Sequence, residues 1–231
     1  MKKTKIDWCD CTINPVVGCQ HGCKYCYARK INTRFHYIPC WEQPQFFPKR
    51  LKQLESQTPK SVFIDSMSDT AFWKTEWAEQ ILKAIKENPQ HNYIVLSKKP
   101  SEYARVFHDK YKNIYFGATA VCTADFVQPC AVGELAAYHT VTKNKVFLSI
   151  EPLLDRFYGI ALGNLKRWIS TVIIGAETGN RKGKVVPKKE WVDDIVEQCD
   201  FAGIPVFMKE SLRKIMGDDF RQDKLPWEIE R

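Results

Sequence analysis

Residues 75–97 read TEWAEQILKAIKENPQHNYIVLS, and this stretch decides the fold class. Trp77, Ile81 and Ile85 recur at i, i+4 and i+8 with Ala78 and Leu82 alongside, which gives a helix one apolar face. Thr75 is placed to cap that helix, and Pro89, which has no backbone N–H, stops it. Tyr93–Ser97 follows, an apolar run with the length and composition of a buried strand. An amphipathic helix leading straight into a buried strand is the repeating step of a parallel α/β sheet.

The same step recurs on both sides. Strands are also expected at Ile13–Val17, Val62–Met67, Ile114–Ala118, Val146–Ile150, Val172–Gly175 and Val206–Met208. A second helix is expected from about Lys188 to Phe201, with Trp191, Val192, Ile195, Val196 and Cys199 on one face and Gly203 ending it. Seven strands with helices between them predict a β/α barrel or an open α/β sheet, in a single domain over residues 1–231. Residues 27–61 and 120–142 are less regular, and a short tail from about residue 212 is expected at the periphery. At 44% hydrophobic and 27% charged residues, a disordered or low-complexity chain is excluded. The sequence has no run of 18 apolar residues and no apolar stretch after Met1, so the chain is read as cytoplasmic with no membrane partner.

In β/α barrels the loops at the C-terminal strand ends converge on one face. The residues at these ends are Asp65, Ser66, Ser68 and Asp69; Lys98 and Lys99; Thr119; Ser149 and Glu151; Glu177; and Lys209. Hydroxyl or charged groups ending six strands in a row are expected to share a pocket.

Five of the nine cysteines fall within 18 residues, at 9, 11, 19, 23 and 26, and the others are at 40, 122, 130 and 199. An odd number crowded at one end suits metal or redox chemistry better than a disulfide framework. Cys19, Cys23 and Cys26 form a C-x3-C-x2-C loop directly after the first expected strand. Three thiolates in one loop can hold three irons of a cubane cluster and leave the fourth open. The other metal chemistry is zinc, which wants a fourth ligand from Cys9, Cys11, His21 or Cys40.

The loop resembles the signature of the radical S-adenosylmethionine (SAM) enzymes, whose last cysteine follows an aromatic residue, here Tyr25. Ile6-Asp7-Trp8, Thr12-Ile13-Asn14-Pro15, Gly22-Cys23-Lys24-Tyr25-Cys26-Tyr27-Ala28, Ser66-Met67-Ser68-Asp69 and Gly175-Ala176-Glu177-Thr178-Gly179 are similar to a phage-associated radical-SAM-like family with this three-cysteine motif. The resemblance implies a partial (β/α)6 TIM-type barrel, here with a seventh strand, and a 4Fe-4S cluster on Cys19, Cys23 and Cys26. It also implies reductive cleavage of SAM to methionine and a 5'-deoxyadenosyl radical that abstracts hydrogen from substrate. By the same resemblance, Tyr25 packs near the adenine and Ser66, Ser68 and Asp69 meet the SAM ammonium group; from their positions after the third and fourth expected strands, Lys98 is assigned to its carboxylate and Thr119 to its ribose. Many radical SAM enzymes carry a Gly-Gly-Glu-like turn where this chain has Ser66–Asp69 without glycines. Glu151, Glu177 and Lys209 are left for substrate contact or proton handling, or for an ion pair across the barrel mouth. An electron donor of flavodoxin or ferredoxin type and a three-cysteine-motif partner protein are the implied partners.

The charge is uneven. Residues 1–60 carry 11 Lys/Arg against 4 Asp/Glu, and residues 61–231 carry 24 against 23. Arg29, Lys30, Arg34, His36, Lys49, Arg50 and Lys52 interleave with Tyr27, Phe35, Tyr37, Trp41, Phe46 and Phe47, a mixture that suits phosphates and bases or, equally, a solvated face over an aromatic core. A nucleic-acid base or nucleotide is therefore the first expected substrate and a peptide or protein the second. The non-enzyme alternative is an iron-sulfur or zinc module that binds nucleic acid.

Overall fold

Helix and strand alternate along most of the chain because apolar runs of strand length are separated by helices with a single apolar face. The computed structural model describes residues 4–126, 130–157 and 162–229. In chain order the elements are β1 (Cys11–Thr12), β2 (Val16–Val17), α1 (Tyr27–Phe35), β3 (Gln45–Phe46), β4 (Ser61–Phe63), α2 (Thr75–Glu87) and β5 (Asn92–Ser97). They continue with β6 (Ile114–Thr119), α3 (Ala131–Thr142), β7 (Lys145–Ile150), β8 (Ile169–Ile174), α4 (Lys189–Ala202), β9 (Val206–Met208) and α5 (Arg213–Met216). The fold is mixed α/β, with a seven-stranded sheet in the order β1-β4-β5-β6-β7-β8-β9 and a separate β2-β3 pair. The chain divides into two compact units: Met1–Ser97 with Glu102–Tyr115 and Trp227–Arg231, and Lys98–Ser101 with Phe116–Pro226.

In the first unit β1, β4 and β5 pair in parallel, with Cys11 opposite Val62 and Val62 opposite Tyr93. α2 buries Ala78, Ile81, Leu82 and Ile85; each of the three larger side chains contributes roughly 1.5–3 kcal/mol when fully buried. Three local expectations change. Lys74, not Thr75, is the capping residue of α2, and the Thr75 hydroxyl accepts from Arg105 Nη1 at 3.1 Å. The single strand expected at Ile13–Val17 splits into β1 and β2, because Pro15 offers no N–H and Asn14 turns its side chain to the backbone N–H of Met67. Trp227, in the stretch expected at the periphery, is fully buried and donates from Nε1 to Trp8 O at 2.7 Å.

In the second unit β7, β8 and β9 are parallel, with Ser149 opposite Ile173 and Ile173 opposite Phe207. α4 buries Val192, Ile195, Cys199 and Ala202, and Gly203 ends it with a left-handed φ of 64°. Cys199 is fully buried, and burial pushes its thiol up to about 12, as befits a core residue. α3 occupies part of the stretch expected to be irregular. Among the described residues no helix is long and apolar enough to cross a membrane.

Candidate functional site

The cysteine loop of the first unit starts from a clamped residue. Gly18 donates to Met67 O at 3.0 Å and bridges to Ser68 in parallel register. Its φ is +115°, and a Cβ there would lie 2.8 Å from both Pro44 Cα and Trp41 O. Only glycine tolerates that conformation and that approach. The next residue, Cys19, donates its N–H to the same Trp41 carbonyl at 3.0 Å.

Cys26 closes the loop by bonding to Cys23 O at 3.2 Å and opens α1, its Sγ accepting from Arg29 N at 3.3 Å. Cys19 and Cys26 rest on a buried apolar bed of Val17, Ala28, Ile38, Trp41 and Met67. Burial pushes the Cys19 thiol up to about 12; the backbone N–H of His21 opposes this, while Asp69, Cys23 and Cys26 add to it by charge. Burial likewise raises Cys26, with Cys23 adding to it. The three thiols thus lie within electrostatic reach of one another, and none is in a disulfide. Tyr25 sits among them, partly exposed.

The loop after β4 lies against this one. Asp69 is buried; its Oδ2 is 2.9 Å from His21 Nε2, and its Oδ1 accepts from Ser97 Oγ at 2.6 Å and Ala71 N at 3.0 Å. Ser66 Oγ donates to Asn14 Oδ1 at 2.9 Å, and Ser68 Oγ accepts from Trp73 Nε1 at 3.0 Å. Each hydroxyl keeps lone-pair capacity for a further donor. Behind them Asp65 is buried with both oxygens facing Leu96 N, and burial, then the charge of Asp69, holds its carboxyl well above the usual range. The structure therefore brings Cys19, Cys23, Cys26, Ser66, Ser68 and Asp69 together in one unit. It adds His21, whose tie to Asp69 across 48 residues has no sequence signal.

The other candidate ligands have their own partners. Cys11 is buried on β1 with its thiol 3.9 Å from Ser61 O, and burial raises it to about 11. Cys40 Sγ lies 3.8 Å from Glu42 Oε2. Among the described residues no three His, Cys, Asp or Glu side chains converge tightly enough to hold a single metal ion.

The remaining expected residues belong to the second unit. Lys98 is partly exposed and Thr119, ending β6, is buried. Glu151 follows β7, Gly175 follows β8 and Lys209 follows β9, and the Lys209 ammonium pairs with Glu151 Oε1. A Cβ on Gly175 would lie 2.8 Å from Lys209 Cδ and 3.3 Å from Glu151 Cγ, so the missing side chain makes room for this pair. Strand alternation puts Ser149 on the same face as Glu151, and its fully buried Oγ has no hydrogen-bond partner among the described residues. Glu177 is buried and held in both oxygens by Arg181, from Nε at 2.6 Å and Nη2 at 2.7 Å. The ion pairs at this edge are thus Lys209–Glu151 and Arg181–Glu177. Arg181 escaped the sequence reading, since it reaches Glu177 across a loop outside any helix or strand, where i+4 spacing carries no signal.

A family model described as "Protein of unknown function (DUF5131)" matches residues 3–218, and the chain belongs to that family. No curated protein matches the sequence. Among solved structures, a Xanthomonas albilineans dihydropteroate synthase in complex with indole-2-carboxylic acid and 6-chloroguanine is similar at 12% identity and a TM-score of 0.37, covering 90% of this chain and 75% of that one.

Proposed function

Taking membership of that family as the premise, we propose that this chain is a radical SAM enzyme with a partial (β/α)6 barrel, holding a 4Fe-4S cluster on Cys19, Cys23 and Cys26. The observation that carries the reading is the trio of thiols on one loop, outside any disulfide and close enough to oppose one another's ionisation. Partial burial and the neighbouring cysteines favour the protonated form of Cys19 and Cys26, and a bound cation is what makes such a set stable as thiolates. The absence of a convergent single-ion site among the described residues is compatible with this, since a cubane takes its thiolates on separate corners and spreads them wider than one ion does. When bound and reduced, the cluster supplies the electron that splits SAM into methionine and a hydrogen-abstracting 5'-deoxyadenosyl radical, the electron coming from a flavodoxin- or ferredoxin-type donor.

The chain's own residues supply the rest. Gly18 and Trp41 fix the loop from one side and Met67 from the other. Ser66, Ser68 and Asp69 offer acceptor oxygens to the SAM ammonium group; His21, Ser97 and Ala71 hold the Asp69 carboxylate in place. Tyr25, in the same unit, faces the adenine. In the second unit Lys209 Nζ, held by Glu151, gives or takes a proton at the substrate, and Glu177 is oriented by Arg181.

The test is anaerobic reconstitution with iron and sulfide, then electron paramagnetic resonance of the reduced protein with and without SAM, and an assay for 5'-deoxyadenosine. The expected result is a SAM-dependent change in the signal with 5'-deoxyadenosine formed, both lost in Cys23→Ala. A cluster indifferent to SAM, or stoichiometric zinc in its place, refutes the proposal.

A further inference from the structure

The first unit displays aromatic rings that its fold has no need to expose. Tyr27, Phe35 and Tyr37 are 46%, 55% and 44% exposed, half of the six large hydrophobic side chains exposed among the described residues, and all three lie within eleven residues of α1 and its C-terminal turn. The turn holds them there. α1 ends at His36 in the left-handed region, with His36 N bonded to Asn32 O at 2.7 Å. The buried Asn32 side chain then grips both backbone groups of Ile38, donating to its O and accepting from its N at 3.0 Å each. This two-point clip pulls Ile38 into the core and leaves Phe35 and Tyr37 outside, ring centroids 6.0 Å apart and 30° from parallel.

Cations surround these rings. Arg34 lies over the Phe35 ring at 5.2 Å, and Arg50 lies over Phe47 at 4.3 Å and Tyr37 at 5.8 Å. Arg50 also donates to Asn14 O at 2.7 Å, so it is anchored and positions the rings. Lys30 and Arg34, one helical turn apart on the outer face of α1, are exposed, as are Lys24, His36, Lys49 and Lys52. From residue 11 to residue 54 the chain has one acidic residue, Glu42, and it is 3.5 Å from Arg29.

We infer that this surface is a binding site for single-stranded nucleic acid, with bases stacked on Phe35 and Tyr37 and the phosphate backbone running over Lys30, Arg34 and Lys49. Exposed rings paired with an electropositive track are what an unpaired strand uses, because every base has a stacking face and every linkage a negative charge. A duplex has its bases already stacked and offers the rings nothing. A helix lying in a membrane surface presents a continuous apolar row; on α1 the exposed rings Tyr27 and Phe35 stand at its two ends with the half-buried Ile31 between them. The inference stands apart from the cluster proposal, since none of these residues is a cluster ligand.

The experiment is fluorescence anisotropy of labelled dT20 and rU20 with the full chain, between 50 and 200 mM salt. The expected result is binding of at least one strand that weakens with salt, log K falling by about 0.7 per phosphate neutralised for each unit of log salt. Phe35→Ala with Tyr37→Ala is expected to weaken binding by roughly 30-fold or more, from about 1–3 kcal/mol per ring, whereas Phe35→Tyr with Tyr37→Phe keeps it. Both positions are exposed, so circular dichroism should show the double alanine variant folded. Arg34→Gln should lower the salt slope, and the double alanine variant should keep the SAM-dependent cluster signal of wild type, which separates failure here from failure of the cluster reading. No binding of either strand, equal affinity for a 20-base-pair duplex, or wild-type affinity in the double alanine variant overturns the inference. Tighter binding to anionic vesicles or to a polyglutamate peptide than to either strand overturns it too.

Discussion

Gly18→Ala gives the most exacting test of how the cysteine loop is built. A methyl group at φ +115° lies outside the left-handed helical well, and holding a non-glycine residue in such a region costs roughly 1–3 kcal/mol. The new Cβ would also stand 2.8 Å from Pro44 Cα and from Trp41 O, and 3.0 Å from Ile38 Cδ1. Two of these atoms are backbone and cannot rotate away, so overpacking adds about 1–3 kcal/mol. The sum, about 2–6 kcal/mol, is a large part of the 5–15 kcal/mol that typically holds a domain together. A mid-range ~4 kcal/mol corresponds to a fall in Tm of about 8–16 °C. Gly22→Ala is the internal control: φ is +67° and nothing lies within 4 Å of the added carbon, so only the left-handed cost of roughly 1–2 kcal/mol applies. The assay is guanidinium unfolding followed by tryptophan fluorescence, with Trp41 inside the loop's apolar bed. A Gly18→Ala protein within about 0.5 kcal/mol of wild type, or one less affected than Gly22→Ala, would refute the clamp.

Asp65 has its folded pKa raised by burial, so its proton stabilises the native state below the usual carboxylate range, and that stability is lost as pH rises through the folded value; Asp65→Asn should flatten unfolding free energy against pH from about 4 upward, as urea titrations can measure. Gly175→Ala should part the Lys209–Glu151 pair while costing less than about 1.5 kcal/mol, because the atoms it meets are flexible side chains; a shifted Lys209 ammonium resonance with a nearly unchanged Tm is the expected signature. Arg181→Met should lower Tm more than the double change Glu177→Gln with Arg181→Met, since only the single change leaves a buried carboxylate without its bidentate partner. Trp227→Ala should cost about 3–5 kcal/mol in chemical denaturation, as it empties a fully buried site and removes the bond to Trp8 O.

What the sequence disclosed followed from periodicity. α2, α4 and strands β5, β6, β7 and β9 were legible because burial falls on one face or on a whole run, and Gly203 and Pro89 mark the ends of the two helices. α1 was not read, although Tyr27, Ile31 and Phe35 recur at i, i+4 and i+8; its buried residues are Ala28 and Asn32, and it is held by the Cys26 cap and by Asn32, a polar residue whose two bonds to Ile38 no pattern announces. α3 hid because Ala-rich AVGELAAYHTVT contains Gly133 and leaves Val141 exposed. At the candidate site, the cysteine spacing marked the thiols and the strand ends marked Glu151, Glu177 and Lys209. Their partners were the hidden part. Lys209 meets Glu151 across 58 residues, and which strand end lies beside which is set by sheet order, not by local sequence.

α1 is also a spacer of fixed length. Its first turn is tied to the Cys26 sulfur and its last to the turn carrying Phe35 and Tyr37, and nine helical residues at 1.5 Å each span about 13 Å. A strand that keeps the helical rise of about 3.4 Å per nucleotide, seated on those rings and running along the helix, comes level with the cysteine loop roughly four nucleotides on, and a more extended strand sooner. Chemistry begun at that loop would then fall at a constant offset from the stacked base, counted by the helix and indifferent to which letters lie between.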